Sequence, residues 1–366
     1  MNVSGVALGL DFGTESVRAV LVDLAGNEHG SAVARYRHGQ ILDRLPTGGE
    51  QLPADYALQH PGDWIDSAAA AVREALAVES LAPDRVLGIG VDFTSCTMLP
   101  CNRAGTPLAL IDRWQQEPLA WPKLWKHHGA KEATERMLSI ARERREPWLA
   151  RYGGLIGLAW FFPKILEPIL EAPHVAEGAE VWLEAGDWFV WQLVGGSAEA
   201  LPRSTCQAGY KALWSAESGY PPRAYLEAVD PRLAAAASEK LPGRFFAPGT
   251  RAGRLADPLA ARLGLPAGIP VSAAIIDAHA GVPGAGAAEP GTLVMVLGTS
   301  SCHMLNAEEE RLVPGVAGVV RDGILPGYYG YETGQAAVGD LFDWVRRLTG
   351  AENFEQLDAA AERLPP

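Results

Sequence analysis

LGLDFGTESVRAVLV, residues 8–22, and LVMVLGTSSCHML, residues 293–305, are two copies of one pattern. In each copy an apolar run leads into Gly-Thr-x-Ser and a second apolar run follows. This arrangement predicts a β-hairpin closed by a tight glycine turn. The turn glycines, Gly13 and Gly298, lie 285 positions apart. The repeat therefore indicates two related halves, with one hairpin near the start of each.

The segments after the first hairpin predict an α/β unit with a mixed sheet. His29–Tyr36 is a candidate third strand, and residues 37–62 are rich in Gly, Pro and polar groups, which is typical of a loop. Apolar residues at helical spacing predict a helix from about Asp63, and the continuous apolar run Val86–Val91 predicts a buried strand. Later elements are expected at Val271–Ile276, Thr292–Leu297 and Cys302–Leu305 (strands) and near Ala336–Leu348 (a helix).

Tryptophan is concentrated in one part of the chain. Nine of the 11 tryptophans lie between Trp114 and Trp214. We interpret residues 105–215 as a helical insertion that builds a pocket wall, with plain core packing as the alternative for any single Trp. A Pro- and Gly-dense stretch, residues 241–270, then indicates a boundary, so the expected domains are 1–265 and 266–366.

The composition excludes several classes of protein. The 366 residues are 48% hydrophobic and 20% charged, as in ordinary globular proteins, and the net charge is −13. An acidic chain is a poor binder of nucleic acid or of an anionic membrane surface. The four cysteines have no metal-site spacing, which predicts reduced thiols. The first residues lack the basic region of a signal peptide, so we expect a cytoplasmic protein.

The two glycine turns have the chemistry of a phosphate site. Glycine lets a backbone approach a ligand closely, and successive N–H groups of such a turn bind anions. The predicted nucleotide-binding residues are Gly13, Thr14 and Glu15 in the first turn and Gly298, Thr299 and Ser300 in the second. Asp11 precedes the first turn, where a carboxylate could hold Mg²⁺ beside phosphates. Two ordinary hairpin turns are the alternative.

Several further stretches resemble the FGGY carbohydrate kinases of the actin-like ATPase superfamily, and among them the ribulokinases. The resemblance extends from near residue 8 to near residue 345, in GLDFGTESVRA, GIGVDFTSCTMLP, LWKHH, GLAWFFPKIL, CQAGYKALW, DAHAGVPGAGA, VLGTSSC and GYETGQAAVGDLFDW. It implies an α/β fold of duplicated ribonuclease H-like domains with a cleft between them. It also implies ATP, Mg²⁺ and a sugar as small-molecule partners, and a homodimer.

The resemblance also implies roles for individual residues. Asp277 matches the catalytic base, which accepts the proton of the sugar hydroxyl and orients the oxygen. Lys211, Glu332 and Ser95 match sugar contacts. Taken alone, Asp277 could cap a helix, Lys211 could lie on the surface, and Glu332 and Ser95 could be loop residues. Asp92 could contact the substrate or only cap, and Lys164 belongs to a family sequence signature in which its role could be purely structural. His279 and His303 receive no catalytic role.

The implied reaction is ATP-dependent phosphorylation of ribulose to ribulose 5-phosphate, a step of pentose catabolism. The alternatives are another FGGY sugar or polyol kinase, acting on xylulose, ribitol or glycerol, and a non-catalytic sugar- or nucleotide-binding protein. The second hairpin begins only near residue 292, which leaves about 70 residues. Ribulokinases continue through a Gly-Gly adenosine-binding loop, so the resemblance implies that the second domain is incomplete. We expect such a chain to bind ATP poorly and to be nearly inactive.

Overall fold

The computed structural model describes residues 5–298, 300–335 and 337–365. Its strands are β1 Val6–Phe12, β2 Ser16–Asp23, β3 Glu28–Arg35, β4 Val86–Phe93, β5 Met98–Cys101, β6 Val181–Glu184, β7 Pro202–Ser204, β8 Arg244–Phe246, β9 Arg251–Arg254, β10 Pro270–Ser272, β11 Ile275–Ile276, β12 Val294–Leu297, β13 Ser301–Ala307, β14 Gly318–Arg321 and β15 Tyr329–Gln335. Its α-helices are α1 Pro61–Val78, α2 Lys131–Glu143, α3 Phe161–Glu171, α4 Pro173–Gly178, α5 Ala185–Val194, α6 Thr205–Lys211, α7 Arg223–Val229, α8 Pro231–Glu239, α9 Asp257–Leu263, α10 Asp277–Gly284, α11 Gly339–Thr349 and α12 Phe354–Ala361.

A seven-stranded mixed sheet forms the centre of the first part of the chain. Its order is β3-β2-β1-β4-β10-β9, and β11 also pairs with β4. The β1–β2 pair is the antiparallel hairpin predicted from the first copy of the repeat, and β1 and β4 run parallel. The α/β fold class expected from the order of elements is therefore confirmed.

The expected single strand Val271–Ile276 is wrong in detail. Residues 270–272 and 275–276 form two short strands, and both pair with β4. The break lies where Ala273 donates its N–H to the carbonyl of Thr250, 3.0 Å away, and so leaves the ladder. The sheet thus extends past residue 265, while the domain boundary expected there stays a prediction.

Helix α1 begins two residues earlier than expected. His60 is its N-cap, because the His60 ring accepts a hydrogen bond from the Gly62 N–H, and Pro61 occupies the first turn, where it needs no N–H partner. Asp63, the expected first residue, instead accepts two hydrogen bonds from His38, one from its N–H and one from Nδ1, both at 2.8 Å. The preceding loop is thereby tied to the start of the helix.

The second copy of the repeat also forms a hairpin, β12–β13, in a four-stranded sheet of order β12-β13-β15-β14. The helix expected near Ala336–Leu348 is α11, Gly339–Thr349. Helix α10 packs against β4 of the first sheet and against β12 and β13 of the second. Asp277, at the start of α10, therefore lies where the two sheets approach each other.

The Trp-rich region is mainly core. Seven of its nine tryptophans are buried, and they pack in two apolar clusters with residues from the helices and from the first sheet. Two of the nine bear on the site: Trp125 is 42% exposed, and Trp160, one of the buried seven, has the Lys211 ammonium 6.0 Å from its ring centroid. The pocket-wall interpretation thus has structural support at these two residues only.

All four cysteines are free thiols, as expected. Among the described residues, none of the helices combines the length and the apolar character that a membrane crossing requires.

Candidate active site

Three carboxylates lie at one edge of the first sheet. Asp11 and Asp92 are register partners on the parallel strands β1 and β4. Asp277 directly follows β11, whose Ile275 is the partner of Asp92. Because parallel strands end at the same edge of a sheet, this topology brings the three side chains together.

Asp277 is the first residue of α10 and is half-buried. Its Oδ1 accepts a hydrogen bond from the N–H of Ala278 at 2.8 Å. Burial raises the pKa of Asp277 to about 6, and the negative charge of Asp11 acts in the same direction, while the Ala278 N–H and the positive charge of Lys211 oppose them. The carboxylate is therefore mostly ionised at neutral pH and still basic enough to accept a proton.

Asp92 is an acid in surroundings that disfavour its charged form. Burial raises its pKa most, and the nearby charges of Asp11 and Asp277 raise it further. Its Oδ1 is buried without a hydrogen-bond partner in the described part of the chain. A buried carboxylate of this kind is stabilised by a nearby cation or neutralised by a proton. Oxygen ligands from one or two carboxylates are what Mg²⁺ takes from a protein when phosphates complete its shell, so Asp11 and Asp92 fit that ion.

The first glycine turn is firmly braced. The N–H of Gly13 donates to the Ser16 carbonyl at 3.0 Å, and the Tyr36 hydroxyl donates to the Gly13 carbonyl at 3.0 Å. Trp125 donates its indole N–H to Thr14 Oγ1 at 3.0 Å. Glu15 is exposed, and its side chain accepts a hydrogen bond from the Gln40 amide. Trp125 is a residue that the sequence argument missed, although it lies in the LWKHH stretch.

The second turn is open to solvent. The N–H of Gly298 donates to the Ser300 carbonyl at 2.8 Å, and both residues are exposed. Gly339, the first residue of α11, donates its N–H to the Gly298 carbonyl at 3.0 Å. Thr299, predicted to bind phosphate, lies outside the described residues. The nucleotide roles of both turns stay predictions.

Two predicted sugar contacts form an ion pair although they lie 121 positions apart. Lys211 Nζ is 2.5 Å from Glu332 Oε1, and their side chains are 9% and 13% exposed. Burial alone would raise the pKa of Glu332, but the charges and hydrogen bonds of Lys211 and His279 together outweigh burial and lower that pKa to about 2. Both charges act on Asp277. The pair offers a donor and an acceptor to a hydroxyl-rich ligand.

Buried His279 completes this cluster. Its Nε2 lies 3.2 Å from Glu332 Oε2, and its ring packs on Tyr210 with the centroids 4.4 Å apart. Burial lowers the pKa of His279. A neutral histidine here is consistent with its exclusion from the predicted catalytic residues. His303 lies elsewhere, in the lining of a cavity of about 590 Å³ to which Glu332 also contributes.

Ser95 lies in the connection between β4 and β5 and is half-buried. The next residue, Cys96, has a φ of +57°, a left-handed conformation that is disfavoured for any residue with a Cβ. The link between Ser95 and the Lys211–Glu332 pair is indirect: the charge of Lys211 acts on the thiol of the neighbouring Cys96. Its contact with sugar stays a prediction.

A separate cluster, His38, His60 and Asp63, has the ligand types of a metal site. Its polar atoms already have protein partners, however: His38 N and Nδ1 donate to Asp63, and His60 Nδ1 accepts from Gly62. These bonds explain why the three side chains lie together, because they hold the preceding loop to the first turn of α1.

Comparison with known proteins identifies the family. Residues 6–284 match the N-terminal domain of the FGGY family of carbohydrate kinases, and residues 293–365 match its C-terminal domain. The chain belongs to this family. The resemblance inferred from the motifs is thereby confirmed.

The similar proteins include several ribulokinases. The ribulokinase of Geobacillus thermodenitrificans is 48% identical over 92% of this chain and 59% of its own length. That of Mycolicibacterium smegmatis is 44% identical over 93% of this chain and 60% of its own length. The FGGY chain thus spans about three fifths of these relatives.

Solved structures agree on the fold. A xylulose kinase from Rhodospirillum rubrum superposes with a TM-score of 0.76 at 21% identity, covering 98% of this chain and 67% of its own. A Plasmodium falciparum glycerol kinase with ADP gives 0.73 at 15% identity, covering 99% and 67%. The expected two-domain actin-like ATPase fold is confirmed.

Proposed function

We propose that this FGGY protein transfers the γ-phosphoryl group of Mg·ATP to the terminal hydroxyl of ribulose, giving ribulose 5-phosphate and ADP. The observation that carries the proposal is the setting of Asp277. This carboxylate lies at the same sheet edge as Asp11, and the charges of Asp11, Lys211 and Glu332 all act on it. The ribulokinase relatives support ribulose as the sugar. The cytoplasmic location, the homodimer and the expected low activity stay predictions, so each variant is compared with the unmodified protein.

Asp277 acts as the base in this proposal. It accepts the proton of the attacking hydroxyl as the oxygen–phosphorus bond forms, and the bond to the leaving ADP oxygen breaks. Lys211 donates a hydrogen bond to the sugar, while Glu332 accepts one from a sugar hydroxyl. Their mutual ion pair fixes both side chains before the sugar arrives, which lowers the entropy cost of positioning it.

Asp11 and Asp92 would hold Mg²⁺, and the turns at Gly13 and Gly298 would hold the phosphates. The unpartnered Oδ1 of Asp92 supports this assignment. When bound, the ion neutralises charge on the phosphate oxygens. The bracing of the first turn by Tyr36 and Trp125 keeps its N–H groups and the Thr14 hydroxyl in place.

The first experiment replaces Asp277 with Asn, which keeps the size of the side chain and removes its basicity. We expect phosphoryl transfer to fall at least about a thousandfold while the dissociation constant for ribulose changes little. Asp277→Asn is compared with Asp257→Asn, an exposed acid at the start of α9. Near-normal turnover in Asp277→Asn would overturn the assignment of the base.

The second experiment compares ribulose, xylulose, ribitol and glycerol as acceptors at equal Mg·ATP. We expect the highest kcat/KM with ribulose. A clear preference for another acceptor would assign the protein to a different activity of the same family. Sugar binding without any transfer would favour the non-catalytic alternative.

A further inference from the structure

Lys164 is a buried ammonium without a carboxylate partner at hydrogen-bond distance in the described part of the chain. It lies in the first turns of α3 and its side chain is fully buried. Its Nζ donates to two backbone carbonyls, that of Cys96 at 2.6 Å and that of Leu124 at 2.8 Å. Burial lowers the pKa of Lys164 to about 8. Burying a charge in this way is costly, so its contacts need an explanation.

The Cys96 carbonyl belongs to a strained segment. Cys96 has a φ of +57°, and the residue before it is Ser95. The segment is anchored on its other side, because Met98 and Lys123 exchange backbone hydrogen bonds of 3.1 and 2.9 Å. Lys164 therefore joins the β4–β5 connection to Leu124, through the carbonyl of the residue in the left-handed conformation.

A second buried network fixes Lys164 itself. Lys123 Nζ donates to the Lys164 carbonyl at 2.7 Å and to Glu167 Oε2 at 2.6 Å. His127 Nε2 lies 2.8 Å from Glu167 Oε1. In this network the Lys123 ammonium is paired with the Glu167 carboxylate, whereas the Lys164 ammonium donates to backbone carbonyls. The difference indicates that Lys164 serves the conformation of the Ser95–Thr97 segment.

We propose that Lys164 is a positioning residue, which holds Ser95–Thr97 in the conformation that receives the sugar. This inference rests on the proposed function, because it needs the sugar contact that the family resemblance implies for Ser95. Lys164 does not touch the sugar itself. Its ammonium stabilises the left-handed turn at Cys96, and the turn sets the direction of the Ser95 side chain.

Replacing Lys164 with Met tests the proposal with two readouts, hydrogen exchange of the amides of residues 94–98 and the dissociation constant for ribulose. We expect faster exchange in that segment and about tenfold weaker ribulose binding. The matched control is Lys240→Met, because Lys240 also donates to two backbone carbonyls, those of Ala176 and Glu177. The control should change neither readout.

A rescue variant separates positioning from general stability. Glycine adopts a φ of +57° without penalty, so Cys96→Gly in the Lys164→Met background should restore most of the ribulose affinity. Unchanged exchange and unchanged affinity in folded Lys164→Met would overturn the proposal. So would failure of both Lys164 variants to fold, since Lys164 would then serve the whole core. Absence of ribulose binding by the unmodified protein would instead reject the proposed function, while the exchange data would still decide whether Lys164 holds the segment.

Discussion

At the scale of single residues, the pKa of Asp277 determines the pH range of the proposed reaction. Burial raises that pKa to about 6, and the base must be ionised to accept a proton. We therefore expect kcat/KM for ribulose to rise through about pH 6 and to level off above pH 7. Initial rates between pH 5 and 8.5 measure this. A rate that stays constant down to pH 5 would show that Asp277 titrates lower or is not the base.

The Lys211–Glu332 pair predicts a large effect on stability. Replacing Lys211 with Met leaves the Glu332 carboxylate buried without its cation, which costs about 3–5 kcal/mol of unfolding free energy. Urea unfolding at pH 7 measures it. The control is the double variant Lys211→Met, Glu332→Gln, which removes both charges and should recover most of the loss. A single variant as stable as the unmodified protein would show that the pair is not desolvated.

At the scale of elements, the first turn can be tested through its glycine. A Cβ at Gly13 would lie 3.6 Å from the Ser16 carbonyl oxygen, an ordinary contact, so Gly13→Ala should change the unfolding free energy by less than about 0.5 kcal/mol. A phosphate approaching the turn would meet that methyl group. We expect at least about tenfold weaker Mg·ATP binding, measured by calorimetry.

The matched control for that experiment is Gly26→Ala in the β2–β3 turn. Gly26 has a φ of +87°, so alanine there should cost about 1 kcal/mol of stability without affecting the nucleotide. Gly13→Ala should therefore weaken Mg·ATP binding with little loss of stability, whereas Gly26→Ala should lose stability without weaker Mg·ATP binding. Equal Mg·ATP affinity in Gly13→Ala and in the unmodified protein would contradict the phosphate assignment of the turn.

The elements that sequence reasoning located well are those with purely local signals. Both hairpins follow from an apolar run on each side of a glycine turn, and backbone pairing confirms them. The split of residues 271–276 into two strands could not be predicted, because it depends on the Thr250 carbonyl from another strand region. The start of α1 at Pro61 had a readable signal in the His-Pro pair, which we missed.

The side-chain contacts of the site were even harder to predict from the sequence than the bounds of the elements. Spacing could not bring Lys211 to Glu332, or Trp125 to Thr14 across 111 positions, since those contacts depend on how separate elements pack. The resemblance to a family supplied Lys211 and Glu332 as candidates, but it did not supply their ion pair. Lys164 was named only as part of a signature, and its carbonyl contacts became visible only in the folded chain.

At the scale of the whole molecule, the apolar face around the second hairpin and α11 predicts self-association. Leu297, Trp344 and Leu348 are 62%, 55% and 68% exposed, and Trp344 and Leu348 lie one turn apart on one side of α11. Exposed apolar side chains such as these promote contact between molecules. We expect the 366-residue chain to associate increasingly with concentration in sedimentation velocity. Trp344→Glu with Leu348→Glu should shift it toward monomer, whereas Leu24→Glu, at an isolated leucine that is 83% exposed, should not. Identical distributions for all three proteins would show that this face does not drive association.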